Sequence, residues 1–380
     1  TIATASNDNT SQLWSVEGQL LKEFKGHQGW VNSVIFSPDG KTIATASNDN
    51  TSRLWSLDNK QLVQKLTGHN SRVLNVSFSP NGKTIATASN DNTARLWSVK
   101  GKLLKEFKGH QGWVNSVSFS PNSETIVTAS ADKTARLWTL DGQLKQEFKG
   151  HQSWVNSVSF SPNSETIATA SSDKTARLWT LDGQLKQEFK GHQSLVNSVS
   201  FSPDGKTIAT ASADKTARLW TLDGQLKQEF KGHQSSVLSV IFSPDGKTIA
   251  TASADKTARL WTLDGQLKQE FKGHQGFVWY VSFSPDGQTI ATASEDRTAR
   301  LWTMERQLLR EFKGHQGSVY SVSFSPDGRT IATVSEDRTV RLWPVQGLDE
   351  LLVRGCVWLQ YYVKNPNATE EDKKLCNDIK

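Results

Sequence analysis

Short apolar runs and turn residues alternate along this chain at a fixed period. From Gly232 one unit reads GHQSSVLSVIFSPDGKTIATASADKTARLWTLDGQLKQEFK. The pattern predicts four strands in it: Val237 to Phe242, Thr248 to Ala252, Thr257 to Thr262, and a more polar one from Gln266 to Phe271. Ser243-Pro244-Asp245-Gly246 is a β-turn signal, with Pro pre-set for the second position and Gly free to take positive φ. Ala254-Asp255-Lys256 turns the second run into the third, and Asp264-Gly265 marks a hairpin. Four short antiparallel strands in about 41 residues cannot bury both faces alone. Radial stacking of such units buries them and leaves only short edges.

The period is visible in single residue types. Gly-His pairs end at His27, His69, His110, His151, His192, His233, His274 and His315, which are all eight histidines of the chain. Leu-Trp pairs end at Trp14, Trp55, Trp97, Trp138, Trp179, Trp220, Trp261, Trp302 and Trp343, nine of the 14 tryptophans. The one extra residue falls in Asp58-Asn59-Lys60, a turn, where insertion costs little. An Asp stands 22 residues after each His, as in His27 and Asp49, and a Trp six residues after that, as in Trp55.

Gly-His, the spaced Asp and the Leu-Trp ending resemble WD-repeats, with Leu-Trp in place of the usual Trp-Asp, over residues 1–343. The resemblance implies an all-β propeller of four-stranded antiparallel blades. It also implies that His233, Ser253, Asp255 and Trp261, like His27, Asp49 and Trp55, form a hydrogen-bonded staple inside each blade. In that arrangement Asp accepts from His, His engages a strand hydroxyl, and the hydroxyl reaches the indole N–H. A hydrolytic His-Asp-Ser triad is the alternative. Buried Asp and His need partners, and eight copies of a catalytic triad would be redundant where eight staples would not.

Composition removes other classes. Lys plus Arg is 44 and Asp plus Glu 38, giving a net charge of +6. An apolar fraction of 36% with 22% charged residues suits a folded chain rather than a disordered one. No apolar run is long enough to span a membrane as a helix, and no secretory leader opens the sequence. The two cysteines, Cys356 and Cys376, exclude a disulfide framework and a four-cysteine zinc site. Their reading as small apolar fillers fits a reduced cytoplasm. Each His is committed to its own repeat, so no metal site or cofactor is expected, and no phosphate-loop or nucleophile-elbow motif occurs.

Differences between the near-identical units fall in three columns. The first holds Trp30, Arg72, Trp113, Trp154, Leu195, Ser236, Phe277 and Ser318; the second, two residues on, Asn32, Leu74, Asn115, Asn156, Asn197, Leu238, Trp279 and Tyr320. The third precedes the staple Asp and ends in Glu295 and Glu336. A two-residue offset keeps one strand face. The resemblance places these columns around the top of the central channel, the usual partner surface. Trp30, Trp113 and Trp154 are expected on one arc with Arg72, and Phe277, Trp279, Tyr280 and Tyr320 on another flanked by Glu295 and Glu336. Clustered exposed aromatics are costly unless they bind something.

The chain opens at Thr1 within a second strand, so the first unit lacks its His and inner strand, and the chain is expected to be a piece of a longer or a processed one. Two closures fit: nine blades, the first and last each one strand short, or eight, with Gln19 to Phe24 completing the last. Upstream sequence could also supply the absent strand. Nine is preferred, because eight leaves residues 1–18 as an overhang with unpaired edges. After Pro344 the apolar spacing predicts a helical tail over 344–380. That tail resembles the C-terminal end of cyanobacterial STAND-type NTPase WD-repeat proteins. This likeness implies a cytoplasmic, bacterial sensor or autoinhibitory module of a signalling NTPase. The expectation is therefore a non-enzymatic scaffold binding a protein or peptide. The alternatives are nucleic-acid binding by a basic surface and an enzyme using the channel.

Overall fold

A computed structural model describes residues 2–6, 10–14, 20–23, 27–56, 62–337 and 340–345. It builds seven complete blades, each a four-stranded antiparallel meander in chain order. In the sixth blade the strands are Val237–Phe242, Thr248–Ser253, Ala258–Thr262 and Leu267–Phe271. An eighth sheet has three strands, Val319–Phe324, Thr330–Ser335 and Val340–Pro344. A separate three-stranded sheet comprises Ile2–Ser6, Thr10–Trp14 and Leu20–Glu23.

The predicted strands follow the local chemistry. Ile249 pairs with Trp261 and Ala252 with Ala258 across the second and third strands, both wholly buried in a run of β-branched and small residues. The fourth strand is exposed at Leu267 and Lys268 and buried at Phe271, as expected of an edge. At Ser243-Pro244-Asp245-Gly246 the Gly246 N–H donates to the Ser243 carbonyl at 2.9 Å, with Gly246 at φ 69°. The Ser243 hydroxyl donates to Asp245 at 2.6 Å and accepts from the Thr248 N–H at 3.0 Å, closing the turn.

The core lies between sheets. Ala209, Ala211, Ala217, Leu219 and Phe230 of the fifth blade meet Val237, Val240, Phe242, Ile249 and Trp261 of the sixth. From the second blade to the eighth sheet the Trp of one unit lies against the outer-strand Phe of the one before, as in Phe230 and Trp261 at 5.7 Å between ring centroids, while Leu66 takes that place against Trp97.

The nine-blade expectation is overturned. The inner strand Val31–Phe36 of the first blade packs directly against Val319–Phe324 and Thr330–Ser335, with Val31, Val34, Phe36, Ile43 and Trp55 in one cluster with Ala332 and Val334. The seam repeats the turn contact found elsewhere: Gly40 lies against Pro326 as Gly82 lies against Pro38. Among the described residues no ninth sheet stands between. Nor is the other closure seen, since Leu20–Glu23 pairs with Thr10–Trp14, with Glu23 opposite Gln12. Eight inner strands repeat almost identically, so the unit says how neighbours stack but not how many complete a turn. No helix occurs among the described residues; the helical tail expected over 344–380 begins at Pro344, which ends the strand Val340–Pro344, and from residue 346 on it lies outside the described residues. The chain divides into compact units at Thr1–Trp343 and Pro344–Lys380.

Candidate functional site

The repeated polar residues form one chain in every unit from the first complete blade to the eighth sheet. His233 Nδ1 lies 2.7 Å from Asp255 Oδ2 and its Nε2 2.8 Å from Thr251 Oγ1. The Trp261 indole donates to that same Thr251 oxygen at 2.9 Å. Because indole only donates, the Thr hydroxyl accepts there and its proton is available to His Nε2. The imidazole is then neutral, with its proton on Nδ1 directed at Asp255. The first blade matches: His27 to Asp49 2.8 Å, His27 to Thr45 2.9 Å, Trp55 to Thr45 3.2 Å.

Ser253, expected to be the bridging hydroxyl, is not. Trp261 stands opposite Ile249, so its ring reaches the diagonal neighbour Thr251, two residues along the same strand face. Ser253 lies a further step on, where it accepts from the Asp255 N–H at 3.1 Å and donates to the Ser235 carbonyl at 3.2 Å. Burial lowers the His233 pKa more than neighbouring Asp255 raises it. Burial opposes ionisation of Asp255, but hydrogen bonds from His233, Thr257 and the Gln234 N–H hold its carboxyl well below the usual carboxylate range. The pair is a carboxylate accepting from a neutral imidazole. All four groups are engaged with one another, which leaves no free base or nucleophile for a hydrolytic triad.

A second repeated element is absent from the sequence reading. Arg259 donates through Nε and Nη2 to Glu270 at 3.2 and 2.6 Å, and Lys272 pairs with the other Glu270 oxygen at 2.7 Å. The same trio recurs in the second to fifth and the seventh blades. The Arg259 guanidinium also lies 5.8 Å from the Trp261 ring centre. A Cβ on Gly232, at φ 144°, would sit 2.3 Å from Arg259 Nη1, so the Gly of the Gly-His pair is the residue that admits the arginine.

The non-repeated residues gather at the end of the inner strands opposite the Ser-Pro turns. The first and third columns are neighbours in every blade, joined by a backbone hydrogen bond such as Asn48 N to Trp30 O at 2.7 Å and Glu295 N to Phe277 O at 2.8 Å. In the second column Asn156 donates to the Val196 carbonyl of the next blade at 2.9 Å, and Asn32, Asn115 and Asn197 do likewise. These asparagines tie blade to blade. Leu74, Leu238, Trp279 and Tyr320 replace that tie with bulk.

Trp30, Trp113, Trp154, Phe277 and Tyr280 keep 39%, 48%, 51%, 39% and 40% of their surface exposed, as contact residues would rather than core. Arg72 and Glu295 are also exposed; Trp279, Tyr320 and Glu336 are half-buried. The grouping differs from expectation in one place. Trp113 and Trp154 pair across the third and fourth blades at 6.0 Å. Trp30 instead joins the other arc, 6.5 Å from Tyr320 across the seam. Tyr320 is 5.8 Å from Trp279, which is 5.7 Å from Phe277. Four aromatic rings thus run continuously over the seventh blade, the eighth sheet and the first blade. The Trp279 indole N–H is buried and finds no acceptor among the described residues, at a cost of about 1–3 kcal/mol. Tyr280 occupies the next position, where most other units carry Ser. At the opposite end, the Ser-Pro turns ring a cavity of about 420 Å³ lined by residues such as Phe201, Pro203, Phe242 and Pro244. Among the described residues no cluster of His, Cys, Asp and Glu could hold a metal ion.

The WD domain, G-beta repeat family matches eight segments: 18–56, 60–98, 101–139, 142–180, 183–221, 224–262, 265–303 and 306–344. The chain belongs to the WD-repeat family. WD-repeat propellers generally act as protein-interaction scaffolds rather than as enzymes. Among curated relatives, this WD-repeat chain is similar to the nuclear distribution protein nudF of Aspergillus terreus, 45% identical over 40 residues, covering 10% of this chain and 9% of that protein. It is also similar to the nuclear distribution protein PAC1 of Mycosarcoma maydis, 48% identical over 42 residues, covering 11% and 9%. The matches span about a tenth of those relatives, roughly one repeat. Among solved structures, the crystal structure of the computationally designed Ika8 protein superposes with a TM-score of 0.76 at 27% identity, covering 84% of this WD-repeat chain and 98% of the designed one. Among the described residues no helix is long and apolar enough to cross a membrane.

Proposed function

We propose that this WD-repeat protein is a non-enzymatic scaffold that binds a protein or peptide on the face carrying Trp30, Arg72, Trp113, Trp154, Phe277, Trp279, Tyr280, Tyr320, Glu295 and Glu336. One observation carries the reading. The staple recurs from the first blade to the eighth sheet and the Arg-Glu-Lys trio from the second blade to the seventh, whereas the positions that vary include the exposed aromatics Trp30, Trp113, Trp154 and Phe277. Aromatic anchors surrounded by polar residues suit a binding surface. Nucleic-acid binding is the weaker alternative, because lysines such as Lys108, Lys149 and Lys272 are paired with glutamates around the ring rather than massed on one face. The further reading, a cytoplasmic sensor module of a bacterial signalling NTPase, rests on the tail resemblance alone, and neither the family match, which ends at residue 344, nor the fungal relatives support it.

The test is peptide selection. A phage-displayed library is panned on the protein, and selected peptides are then measured against Trp113→Ser/Trp154→Ser and Phe277→Ser/Trp279→Asn variants. Loss of affinity of about tenfold or more in either variant is expected, as for removal of hot-spot aromatics. Unchanged affinity in both variants overturns the proposal.

A further inference from the structure

Acidic and aromatic replacements coincide in the same two units. In the third column the seventh blade and the eighth sheet carry Glu295 and Glu336, where the other units carry Asn, Ser or Ala. In the second column those same two units carry Trp279 and Tyr320 where the others carry Asn or Leu. Glu295 Oε2 accepts from the Phe277 N–H at 3.1 Å, and Glu336 Oε2 accepts from the Ser318 hydroxyl at 2.9 Å and N–H at 3.3 Å. Each carboxylate is thereby anchored through one oxygen beside the aromatic run. Its Oε1 makes no hydrogen bond among the described residues. Both carboxylates act on the Tyr320 hydroxyl, whose pKa is raised first by burial and then by the charges of Glu336 and Glu295. The two acids and the Phe277-Trp279-Tyr320-Trp30 run therefore share one locality, in a chain whose net charge is +6.

We infer that this locality takes a lysine or arginine side chain of the bound peptide, its charge against the ring faces and its N–H groups on the free oxygens of Glu295 and Glu336. Ring faces attract cations, and anchored carboxylates accept charge-assisted hydrogen bonds from ammonium or guanidinium groups. An anionic or purely apolar side chain would leave both carboxylates without a counter-charge. This rests on the proposed scaffold reading and adds the chemistry of one pocket to it.

The probes are synthetic peptides Ac-Ala-Ala-X-Ala-Ala-NH₂ with X as Lys, Arg, norleucine or Glu. They are titrated into the full chain while the indole N–H resonances of Trp30, Trp279, Trp113 and Trp154 are followed by NMR, each assigned by substitution. Lys and Arg peptides should shift Trp30 and Trp279 and bind about tenfold more tightly than norleucine, a ratio of the size cation–π contacts with ion pairing give. Glu295→Gln/Glu336→Gln should abolish that preference while its thermal melt stays near that of the parent. An equal response to norleucine, a response confined to Trp113 and Trp154, or no response to any peptide overturns the inference. If the Gln variant keeps its affinity for phage-selected peptides while Phe277→Ser/Trp279→Asn loses it, the cation pocket fails and the scaffold reading stands.

Discussion

At the scale of single residues, the histidines explain themselves by what they touch. Thr251 is the shared partner of His233 and Trp261, so Thr251→Val strands a buried imidazole nitrogen and a buried indole N–H. Urea unfolding of that variant should show a loss of about 1–3 kcal/mol. The staple also sets the acid limit of the fold. Burial lowers the pKa of His27, His69, His110, His233, His274 and His315 below the ordinary 6.5. The unfolded chain thus takes up protons near pH 6.5 that the folded chain does not, and stability falls as pH drops below that value. The aspartates, held below their ordinary 3.8, remove stability again as pH falls through the acid range. Melting temperature measured from pH 7.5 to 4 should decline throughout. A flat profile would contradict neutral buried imidazoles. The His-Asp spacing and the Trp were legible in sequence because they recur; the choice of Thr over Ser was not, since both hydroxyls share a strand face and only diagonal pairing separates them.

At the scale of elements, the four-strand unit and its turns could be read directly, because period-2 burial and Ser-Pro-Asp-Gly chemistry are local. The ties between elements could not. Arg259 and Glu270 look like solvated charges on polar strands until the third and fourth strands pair. Asn156 looks like a variable surface residue, yet it bonds the next blade's Val196 carbonyl. Asn156→Leu should therefore cost about 0.5–1.5 kcal/mol in chemical unfolding, the net worth of one hydrogen bond. The leucine found naturally at 238 shows that the shape is tolerated. No change on that substitution would mean that the bridge contributes nothing.

At the scale of the whole molecule, closure was the least legible feature. Identical units specify neighbour contacts and leave the number in the ring to the accumulated rotation between sheets. The contact of Trp30 with Tyr320 across the seam distinguishes the closures, since a ninth blade between them would separate the rings. A double-mutant cycle with Trp30→Ser and Tyr320→Ser should give a coupling of about 0.5–1.5 kcal/mol. A coupling of zero would reopen the ring. Repeated residues hold the ring together and varied ones meet the partner, a division of labour that urea unfolding of Trp30→Ser/Trp113→Ser/Trp154→Ser puts to the test. The triple variant should keep a folded ring and lose at most about 3 kcal/mol, from exposed ring contacts alone. A loss near 9 kcal/mol, about 3 for each buried aromatic removed, or failure to fold would show that these tryptophans are core and would contradict it.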